Sequence, residues 1–294
     1  MSQDTLAADS KQPAPDRAVF NAFFPSPYSL SQFTAPRTGA QRATYSNAQR
    51  NGRWKVLMVA TDLRYMTMAN GTKFSTGNHP VETLLPMYHV DQAGFEIDIA
   101  TPSGYPVALE MWAMPGEDEI VQETFQKYLP KLEQPMALRE AAALVESEDS
   151  PYLGVFIPGG HGAMLGQPDS DELQRILDSV MSRQRLLVAL CHGPAALVAA
   201  ARHRKADAFP LKGYELCAFP DALDRQTPAI GYIPGPMPWY MGERLTALGM
   251  KIVNEDISGR CHQDRNLLTG DSPLASDALG AMAARALLAA CATA

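Results

Sequence analysis

The sequence predicts an α/β fold in which a mostly parallel β-sheet is flanked by helices. Short apolar runs recur along the chain and are bounded by glycine, proline and polar residues, as strands are. Several of these runs are apolar at every position, which is typical of strands buried on both faces of a parallel sheet. Segments with helical spacing lie between the runs, and this alternation favours a parallel sheet with helical layers.

The first 50 residues are predicted to form an N-terminal extension. They are rich in Pro, Ser, Gln and Ala and have no clear period, so a flexible arm is the default expectation. Residues 21–33 differ, because they hold four aromatic side chains. We expect this stretch to lie against the body of the protein or across a subunit contact, which would leave the extension partly ordered.

The α/β domain is predicted over residues 51–294. Its predicted strands are residues 55–60, 96–100, 154–157, 186–190, 251–254 and 266–269, and its predicted helices are residues 170–181 and 276–291. Two regions interrupt the pattern. Residues 102–150 hold a charged cluster and helical stretches and are interpreted as a small inserted subdomain. Residues 205–240 are rich in proline and aromatic residues, and we expect their loops to cover a site.

Composition and charge narrow the class of protein. Of the 294 residues, 46% are hydrophobic, which is ample for a core. The 25 basic residues against 32 acidic ones give a formal charge of −7, and an electrostatic nucleic-acid binder normally has the opposite balance. Small molecules or protein surfaces are therefore the expected partners.

The compartment is predicted from the cysteines and from the apolar runs. The four cysteines, at positions 191, 217, 261 and 291, form no CxxC pair, which argues against a zinc ribbon or a disulfide framework and indicates a reducing compartment. No apolar run approaches the roughly 20 residues that span a bilayer, and the first residues do not resemble a secretory signal. We therefore expect a cytoplasmic protein with no membrane partner.

Cys191 is the predicted nucleophile. An apolar strand ends in Ala-Leu-Cys-His-Gly at residues 189–193, and a helix-compatible run follows at once. A nucleophile between small residues at a strand-to-helix turn is the arrangement of the nucleophile elbow. The start of the next helix is expected to favour thiolate over thiol, and ligands of open α/β sheets bind at this end of the strands. A buried structural cysteine is the alternative.

His192 is the predicted partner of the thiol, as a base or as an orienting group. Neighbours along a strand point apart, but a sharp turn relaxes that rule. A thiol–imidazole pair normally needs a third group that fixes the imidazole tautomer. Either Asp221 or Asp224 fits this role, and the residues alone do not choose between them. The alternative for His192 is a structural histidine beside the site.

A glycine-rich turn, Pro-Gly-Gly-His-Gly at residues 158–162, follows another predicted strand. Its glycines permit positive φ and a close approach of the backbone to a ligand. We expect free N–H groups near Gly160 and His192 to stabilise an oxyanion, and Gly160 and His161 to contact the substrate. The turn lacks the phosphate-loop pattern, and a plain tight turn is the alternative.

Glu82 lies in the first turn of a predicted helix, after a loop punctuated by glycine and proline. It is either a carboxylate that complements the helix dipole or a buried carboxyl with a raised pKa that moves protons beside the thiol. His79, just before it, is a further candidate for contact with the substrate. His79 and His89 superficially suggest metal ligands, but Pro80 and Pro86 argue against a regular metal-binding helix.

These segments, in this order, resemble the HchA group of the PfpI-type α/β superfamily, which contains stress-inducible chaperone, glyoxalase and deglycase proteins. The resemblance runs over nearly the whole chain. It rests on Asn-Ala-Phe-Phe-Pro-Ser at 21–26, Phe-Ser-Thr-Gly-Asn-His-Pro at 74–80, Pro-Gly-Gly-His-Gly-Ala at 158–163, Leu-Cys-His-Gly-Pro-Ala-Ala at 190–196, Cys-Ala-Phe-Pro-Asp at 217–221 and Leu-Leu-Thr-Gly-Asp-Ser-Pro at 267–273.

The resemblance implies a flavodoxin-like core with a small extra domain, and a cytoplasmic homodimer. It implies cofactor-independent conversion of methylglyoxal to lactate, removal of early methylglyoxal adducts from proteins and nucleotides, and holding of unfolded chains. Carried over by position, Cys191 is the nucleophile, His192 its partner and Glu82 the acid–base carboxyl. Asp224 matches the family's third member better than Asp221.

The resemblance also implies a metal site, since relatives hold a metal with two histidines and one carboxylate. The corresponding positions here are Asp91, Glu96 and Tyr128. Neutral tyrosine is a poor zinc ligand, so we expect no zinc site of the relatives' kind and no required cofactor.

Two other classes of function stand beside the enzyme. One is a non-enzymatic holding chaperone that uses the aromatic N-terminal stretch and the loops at 232–240, with Cys191 as a redox sensor. The other is an amidase or peptidase of the wider superfamily, because a Cys-His-Asp set suits acyl transfer as well.

Overall fold

A computed structural model describes residues 6–49 and 52–292 of the chain. Its main body is a seven-stranded sheet in the strand order β12-β13-β9-β8-β3-β6-β7, with neighbouring strands parallel except for the edge pair β12 and β13. In chain order, the strands are β1 Ala14–Asp16, β2 Ala22–Phe24, β3 Lys55–Val59, β4 Tyr65–Thr67, β5 Lys73–Ser75, β6 Glu96–Thr101, β7 Met136–Ala137, β8 Tyr152–Ile157, β9 Leu186–Leu190, β10 Glu215–Leu216, β11 Lys251–Ile252, β12 Cys261–Asp264 and β13 Leu267–Gly270.

Helices cover both faces of this sheet. The α-helices are α1 Pro27–Phe33, α2 Pro80–Gln92, α3 Glu119–Glu133, α4 Leu138–Glu146, α5 Asp171–Ser182, α6 Asp221–Asp224, α7 Met241–Ala247 and α8 Ser276–Cys291. Short 3₁₀ helices span Met111–Ala113, His161–Met164, Gln167–Asp169, Gly193–Ala201, Ala206–Ala208, Thr227–Ile230 and Pro273–Ala275. The predicted α/β class with a mostly parallel, helix-flanked sheet is confirmed.

The core lies in two layers, one on each face of the sheet. Successive strand residues point to opposite faces, so on β3 Leu57 packs in one layer and Met58 in the other. The first layer lies under α4, α5 and the 3₁₀ helix Gly193–Ala201, and the second lies under α2, α3 and α8. Burial on both faces explains why these strands read as unbroken apolar runs.

One predicted strand does not join the main sheet. The strand predicted over residues 251–254 is shorter than expected, since only Lys251–Ile252 is extended, and it pairs in parallel with β10 as a separate two-stranded sheet. Asn254 does not continue the strand, because its side chain bonds to the backbone of Ala218 on both the donor and the acceptor side. The helix-compatible run after Cys191 forms a 3₁₀ helix.

The segment 102–150, interpreted as an inserted subdomain, contains α3, β7 and α4. The strand β7 extends the edge of the main sheet beside β6. Helix α3 packs on α2, and α4 packs on α5. These contacts join the segment to the layers of the main domain, and its bounds as a unit stay a prediction.

The structure describes residues 6–49 of the N-terminal extension, and residues 1–5 lie outside the described part of the chain; the extension's bounds and partial order stay a prediction. Strands β1 and β2 join β5 and β4 in a four-stranded sheet. Helix α1 starts after Ser26, and the hydroxyls of Ser26 and Ser29 donate to the carbonyl of Ile230 at 2.9 and 2.7 Å. The aromatic stretch therefore lies against the body, as predicted, beside the proline-rich loops.

The last helix is long and apolar. Residues Pro273–Cys291 form one helical stretch that is long and apolar enough to cross a membrane by those criteria alone. Its side chains Leu279, Ala283 and Leu287 are buried, and the helix packs on α2 and on the sheet. This packing is typical of the core helix of a globular domain.

Candidate active site

Cys191 lies at the carboxyl end of β9, directly before the 3₁₀ helix Gly193–Ala201. Its φ of 59° is in the left-handed region, which non-glycine residues seldom adopt. The backbone is held there by two bonds, from Cys191 N to Gly270 O at 2.9 Å and from Phe219 N to Cys191 O at 3.0 Å. Such a turn points the side chain away from the strand, as predicted for a nucleophile elbow.

The thiol, an imidazole and a carboxylate form a line. The Cys191 sulfur lies 3.4 Å from His192 Nδ1, and His192 Nε2 lies 2.9 Å from Asp224 Oδ2. All three side chains are buried. With Nε2 donating to Asp224, Nδ1 of the neutral ring is free to accept the thiol proton.

The structure distinguishes the two aspartates that the sequence left open. Asp221 accepts from the backbone N–H groups of Gly242 and Glu243, both at 2.8 Å, at the start of α7. It therefore caps a helix. Asp224 is buried and faces His192 and His161. Burial opposes ionisation of Asp224, but the charges and hydrogen bonds of these two histidines lower its pKa below the ordinary value.

Glu82 lies in the first turn of α2 and is fully buried. Burial raises its pKa well above the ordinary value, opposed by the Cys191 thiol and the Gly160 backbone N–H, while nearby Glu110 also raises it. Neither of its oxygens has a partner at full hydrogen-bonding geometry. A carboxyl in such surroundings keeps its proton near neutral pH, which favours the acid–base interpretation over dipole complementation.

The expectation that the helix start lowers the thiol pKa is wrong. Burial raises the pKa of Cys191 well above the ordinary value, the neighbouring Glu82 carboxyl raises it further, and the backbone N–H of His192 acts in the opposite direction. The two acids are neighbours, since a Cβ placed on Gly159 would lie 2.0 Å from Glu82 Oε2 and 2.7 Å from Cys191 Cβ. The thiol thus loses its proton when a neighbour accepts it, not as a standing thiolate.

The glycine-rich turn packs tightly against the loop that precedes α2. Gly160 has a φ of 92°, and a side chain there would meet Gly77 O at 2.4 Å and His79 N at 2.6 Å. Its N–H points to the Glu82 carboxyl, and the His192 N–H points to the Cys191 sulfur. Both predicted oxyanion donors therefore face the thiol and its carboxyl neighbour.

His161 and His79 complete the predicted set. The His161 ring lies 4.0 Å from the His192 ring between centroids, and its Nε2 lies 3.3 Å from Asp224 Oδ1. His79 is buried, its Nδ1 has no partner, and burial followed by the charge of His161 lowers its pKa to about 4. His79 is therefore neutral at physiological pH and offers a free hydrogen-bonding atom. His89 lies elsewhere, between Tyr45 and Asp277.

Glu110 is a second buried carboxyl that sequence reasoning missed. Thr76 donates its hydroxyl to Glu110 Oε1 at 2.7 Å. Burial raises the pKa of Glu110 to about 7, opposed by His161 and by the bonds from Thr76 and Gly77. The carboxyl reaches the site because segment 108–110 pairs with segment 76–79. A single glutamate inside a predicted insertion gives no signal of this contact.

Aromatic rings cover the histidine side of the site. Tyr232, from the predicted covering loops, lies 6.1 Å from His161 between centroids and contacts Phe74 and Trp112 edge-on or tilted. Phe33 of α1 packs edge-on against Tyr232. Cys191 keeps only 5% of its surface exposed. The site is therefore a covered one that a small or slender group can reach.

The predicted metal positions do not fit a zinc ion. Both oxygens of Asp91 bond to the Lys127 ammonium, at 2.6 and 2.7 Å, and Tyr128 donates its hydroxyl to Asp91 Oδ1 at 2.8 Å. Burial and the charge of Asp91 raise the pKa of Tyr128, so the phenol stays neutral. Glu96 bonds to the ammonium groups of Lys131 and Lys55. Lysines thus already compensate the charge that a cation would neutralise.

A different cluster, His161, His192 and Asp224, has the spacing of a metal site. One ligand atom of each lies within 4.8 Å of the others. Both histidines already bond to the Asp224 carboxylate, however, and the second ring nitrogen of His192 faces Cys191. The cluster is therefore better suited to orienting an imidazole than to holding an ion.

Comparisons with known proteins find relatives over nearly the whole chain. The DJ-1/PfpI family model matches residues 74–211. The protein/nucleic acid deglycase HchA of Pseudomonas aeruginosa (strain UCBPP-PA14) is 56% identical over 280 residues, which cover 95% of this chain and 96% of that protein. The protein of the same name from Staphylococcus aureus (strain JH9) is 52% identical over 289 residues, which cover 98% of each.

Solved structures with the same fold are more distant in sequence. Glyoxalase III from Candida albicans superposes with a TM-score of 0.60 at 21% identity, over 79% of this chain and 97% of that one. The Rapid Encystment Protein of 24 kDa from Francisella tularensis gives 0.65 at 18% identity, over 81% and 99%. At these identities the likeness shows the fold.

Proposed function

The chain belongs to the DJ-1/PfpI family, within its HchA group, and from that premise we propose that it is a glyoxalase and deglycase whose nucleophile is Cys191. Relatives at 52–56% identity over nearly their whole length are named protein/nucleic acid deglycases. The observation that carries the assignment is the buried line Cys191–His192–Asp224 with the unpartnered Glu82 carboxyl beside the thiol. This set suits addition of a thiol to a carbonyl followed by proton transfer.

For methylglyoxal the proposed reaction is an internal redox change without an external oxidant. The Cys191 thiol gives its proton to His192 as the sulfur bonds to the aldehyde carbon, and Glu82 gives its proton to the aldehyde oxygen, which yields a hemithioacetal. The proton on that carbon then leaves to the ionised Glu82, and His192 protonates the ketone oxygen, which gives an enediol. Glu82 returns its proton to the neighbouring carbon while the first hydroxyl loses its proton to His192, which gives the thioester of lactate. Water then breaks the carbon–sulfur bond and releases lactate with the free thiol. The N–H groups of Gly160 and His192 stabilise the oxyanion.

Deglycation joins the same reaction sequence at the hemithioacetal. In an early adduct the methylglyoxal carbon is bonded to an amine nitrogen or to a thiol sulfur. The Cys191 sulfur bonds to this carbon while the bond to the amine or thiol breaks, and the released group takes the thiol proton. The hemithioacetal that results is the one formed from free methylglyoxal. Neutral His79 and His161 are placed to contact the carbonyl and hydroxyl oxygens.

The proposed scheme uses no metal and no organic cofactor. The occupied carboxylates at Asp91 and Glu96 support this part of the proposal. Lactate formation is therefore expected to be the same with and without a chelator.

The first test is turnover of methylglyoxal by the wild type, Cys191→Ala and Glu82→Gln, with lactate as the measured product. Loss of lactate in the alanine variant is expected, and full lactate formation in that variant would overturn covalent catalysis. A second measurement separates deglycation from turnover of free methylglyoxal. The loss of a purified adduct is compared with its spontaneous release of methylglyoxal, because an enzyme that acts on free methylglyoxal alone never exceeds that rate.

A holding function for unfolded proteins is a second candidate, supported by exposed aromatic residues on the N-terminal extension. Phe20 is 91% exposed and Phe33 is 52% exposed. Phe20→Ser with Phe33→Ser is expected to weaken suppression of client aggregation while methylglyoxal turnover continues, and Cys191→Ala is expected to do the reverse. A redox-sensing role of Cys191 in holding would appear as a loss of suppression in Cys191→Ala.

The assembly and the alternative enzyme class are tested separately. We expect a cytoplasmic homodimer, and light scattering of the purified chain measures the dimer directly. A superfamily amidase or peptidase needs access for a polypeptide, and the thiol at 5% exposure argues against that access. Peptide hydrolysis is expected to be absent where methylglyoxal turnover is present.

A further inference from the structure

We propose that the cleft around Trp54, at the end of the sheet opposite to Cys191, binds a phosphate monoester through Arg53 and Arg185. The cleft has a volume of about 350 Å³. Trp54 directly precedes β3, and Arg185 directly precedes β9. The lining residues are Arg53, Trp54, Leu153, Arg183, Gln184, Arg185, Leu186 and Ala290.

Two guanidinium groups lie on one indole ring. The Cζ of Arg53 lies 4.1 Å from the ring centroid of Trp54, and the Cζ of Arg185 lies 4.6 Å from it. Trp54 is buried, since only 6% of its surface is exposed. The ring is therefore a support that positions both cations by cation–π attraction, and both arginines line the cleft.

A third arginine, Arg183, adds positive charge beside the cleft. The Arg183 guanidinium donates to the carbonyls of Val145, Glu146 and Ser147 at the end of α4. The next residue, Gln184, has a φ of 52°, and Arg185 N bonds to Val180 O at 2.9 Å. Arg183 and Arg185 flank this tight turn, and both line the cleft.

The local charge is unbalanced. Within residues 6–49 and 52–292, neither Arg53 nor Arg185 forms an ion pair with a carboxylate, whereas the nearby Arg175 pairs with Glu146 and Arg204 pairs with Asp178. Burial, followed by the charges of Arg183 and Arg53, lowers the pKa of Arg185. The chain has a net charge of −7, so arginines that the described residues do not pair with carboxylates form a part of the surface that an anion would stabilise.

The geometry favours a phosphate monoester over a smaller anion. A guanidinium presents paired donors that match two phosphate oxygens, and a dianion satisfies two guanidinium groups at once. The cleft volume lies within the range of small-molecule sites, so it has room for an organic group beyond the phosphate. Leu153 and Leu186 offer an apolar wall for that group.

The site is separate from the catalytic one and goes beyond the proposed function. Arg185 and Cys191 flank the two ends of β9, which has five residues. At roughly 3.3 Å per residue the two positions lie about 16 Å or more apart through the sheet. A monoester bound at Trp54 therefore does not reach the thiol, and this ligand is not the substrate.

The test is isothermal titration calorimetry in low-salt buffer with two probes, inorganic phosphate and adenosine 5′-monophosphate. The wild type is expected to bind both saturably, the nucleotide more tightly. Arg53→Gln and Arg185→Gln are each expected to weaken binding at least about tenfold, because each removes charge-assisted hydrogen bonds. The matched control is Arg244→Gln, since Arg244 lies 4.7 Å from the Trp239 ring without a second arginine there, and its binding is expected to be unchanged.

Arg185→Lys is a second variant that is less disruptive to folding, because it keeps the positive charge and removes only the planar guanidinium fork. Circular dichroism and methylglyoxal turnover report whether each variant is folded. Non-saturable binding by the folded wild type, an equal loss in Arg244→Gln, or equal affinity for adenosine would each overturn the proposal. Equal competition by an oligonucleotide without a terminal phosphate would overturn it as well, since the ligand would then be a nucleic-acid backbone.

Discussion

Helix α2 carries one carboxyl near each end, and the two have opposite surroundings. Glu82 in the first turn is fully buried, and its oxygens lack partners at full hydrogen-bonding geometry. Asp91 near the last turn keeps 16% of its side chain exposed, and Lys127 and Tyr128 bond to it. The same helix therefore holds an acid that burial keeps protonated and an acid whose charge is compensated. The first arrangement costs folding free energy and suits chemistry; the second contributes modestly to stability.

The strongest test of this contrast is Glu82→Gln. The amide has nearly the same shape but cannot exchange a proton, so kcat/KM for methylglyoxal is expected to fall by about 10³-fold. Lactate formation over a range of substrate concentrations measures the change. Retention of activity within a few-fold would assign the proton transfers to His192 alone.

The next largest effect is expected from Asp224→Asn, with Asp221→Asn as its matched control. The neutral amide would no longer accept charge-assisted bonds from both His192 and His161, so activity is expected to drop by at least about 10²-fold. The control removes charge only from the cap of α7 and is expected to keep full activity, with less than about 1 kcal/mol of stability lost. Equal activity losses in both variants would argue against a specific role for Asp224.

Glu110→Gln tests the cost of a buried acid through the pH dependence of stability. The ordinary pKa of 4.5 applies when the chain is unfolded, and the folded value is about 7. As pH rises from 4.5 through 7, ionisation therefore favours the unfolded chain, and the wild type loses stability that the glutamine variant keeps. The gap between the two is expected to grow by about 3 kcal/mol between pH 4.5 and pH 8, as measured by urea unfolding at both pH values.

The control for this experiment is Glu123→Gln. The Glu123 carboxyl is exposed and bonds to Arg42, which lowers its pKa. Its stabilising effect is present above the ordinary pKa and is lost as pH falls, so the control is expected to change in the opposite direction. A pH-independent gap for Glu110→Gln would contradict the raised pKa.

The smallest effect is expected at the other end of α2. Asp91→Asn removes a partly exposed ion pair, and the free energy of unfolding is expected to fall by no more than about 1 kcal/mol, with activity unchanged. Zinc is expected to leave Tm unchanged in the wild type. Tyr128→His with Lys127→Ala would free Asp91 and supply an imidazole, so a zinc-dependent rise in Tm is expected in that variant alone. A rise of the same size in the wild type would contradict the compensation by Lys127.

The features that could be predicted from sequence are those that local patterns encode. The strands β3, β8 and β9 were predictable because burial on both faces gives mainly apolar runs, and β6 because its first residues alternate between polar and apolar. The turn at Cys191 was predictable because a tight elbow needs small residues at fixed spacing. The family resemblance, not spacing, favoured Asp224 over Asp221, and the bonds to His192 and His161 agree with it.

The features that could not be predicted from the sequence depend on contacts between distant segments. The predicted direction of the Cys191 pKa shift was wrong, because a helix start can be recognised in the sequence whereas burial beside Glu82 cannot. Glu110 joins the site through the pairing of the segments that contain Asn78 and Leu109. The stretch 251–254 was predicted as a strand, but its apolar pattern does not identify its neighbour, β10.

The left-handed backbone at Cys191 has an evolutionary consequence. Glycine adopts a φ near 59° without the penalty that any side chain pays there. Random substitution screened for stability alone would therefore drift towards glycine at this position and discard the sulfur. Under the proposed function, reactivity requires cysteine where folding alone favours glycine, so the two demands oppose each other at one residue.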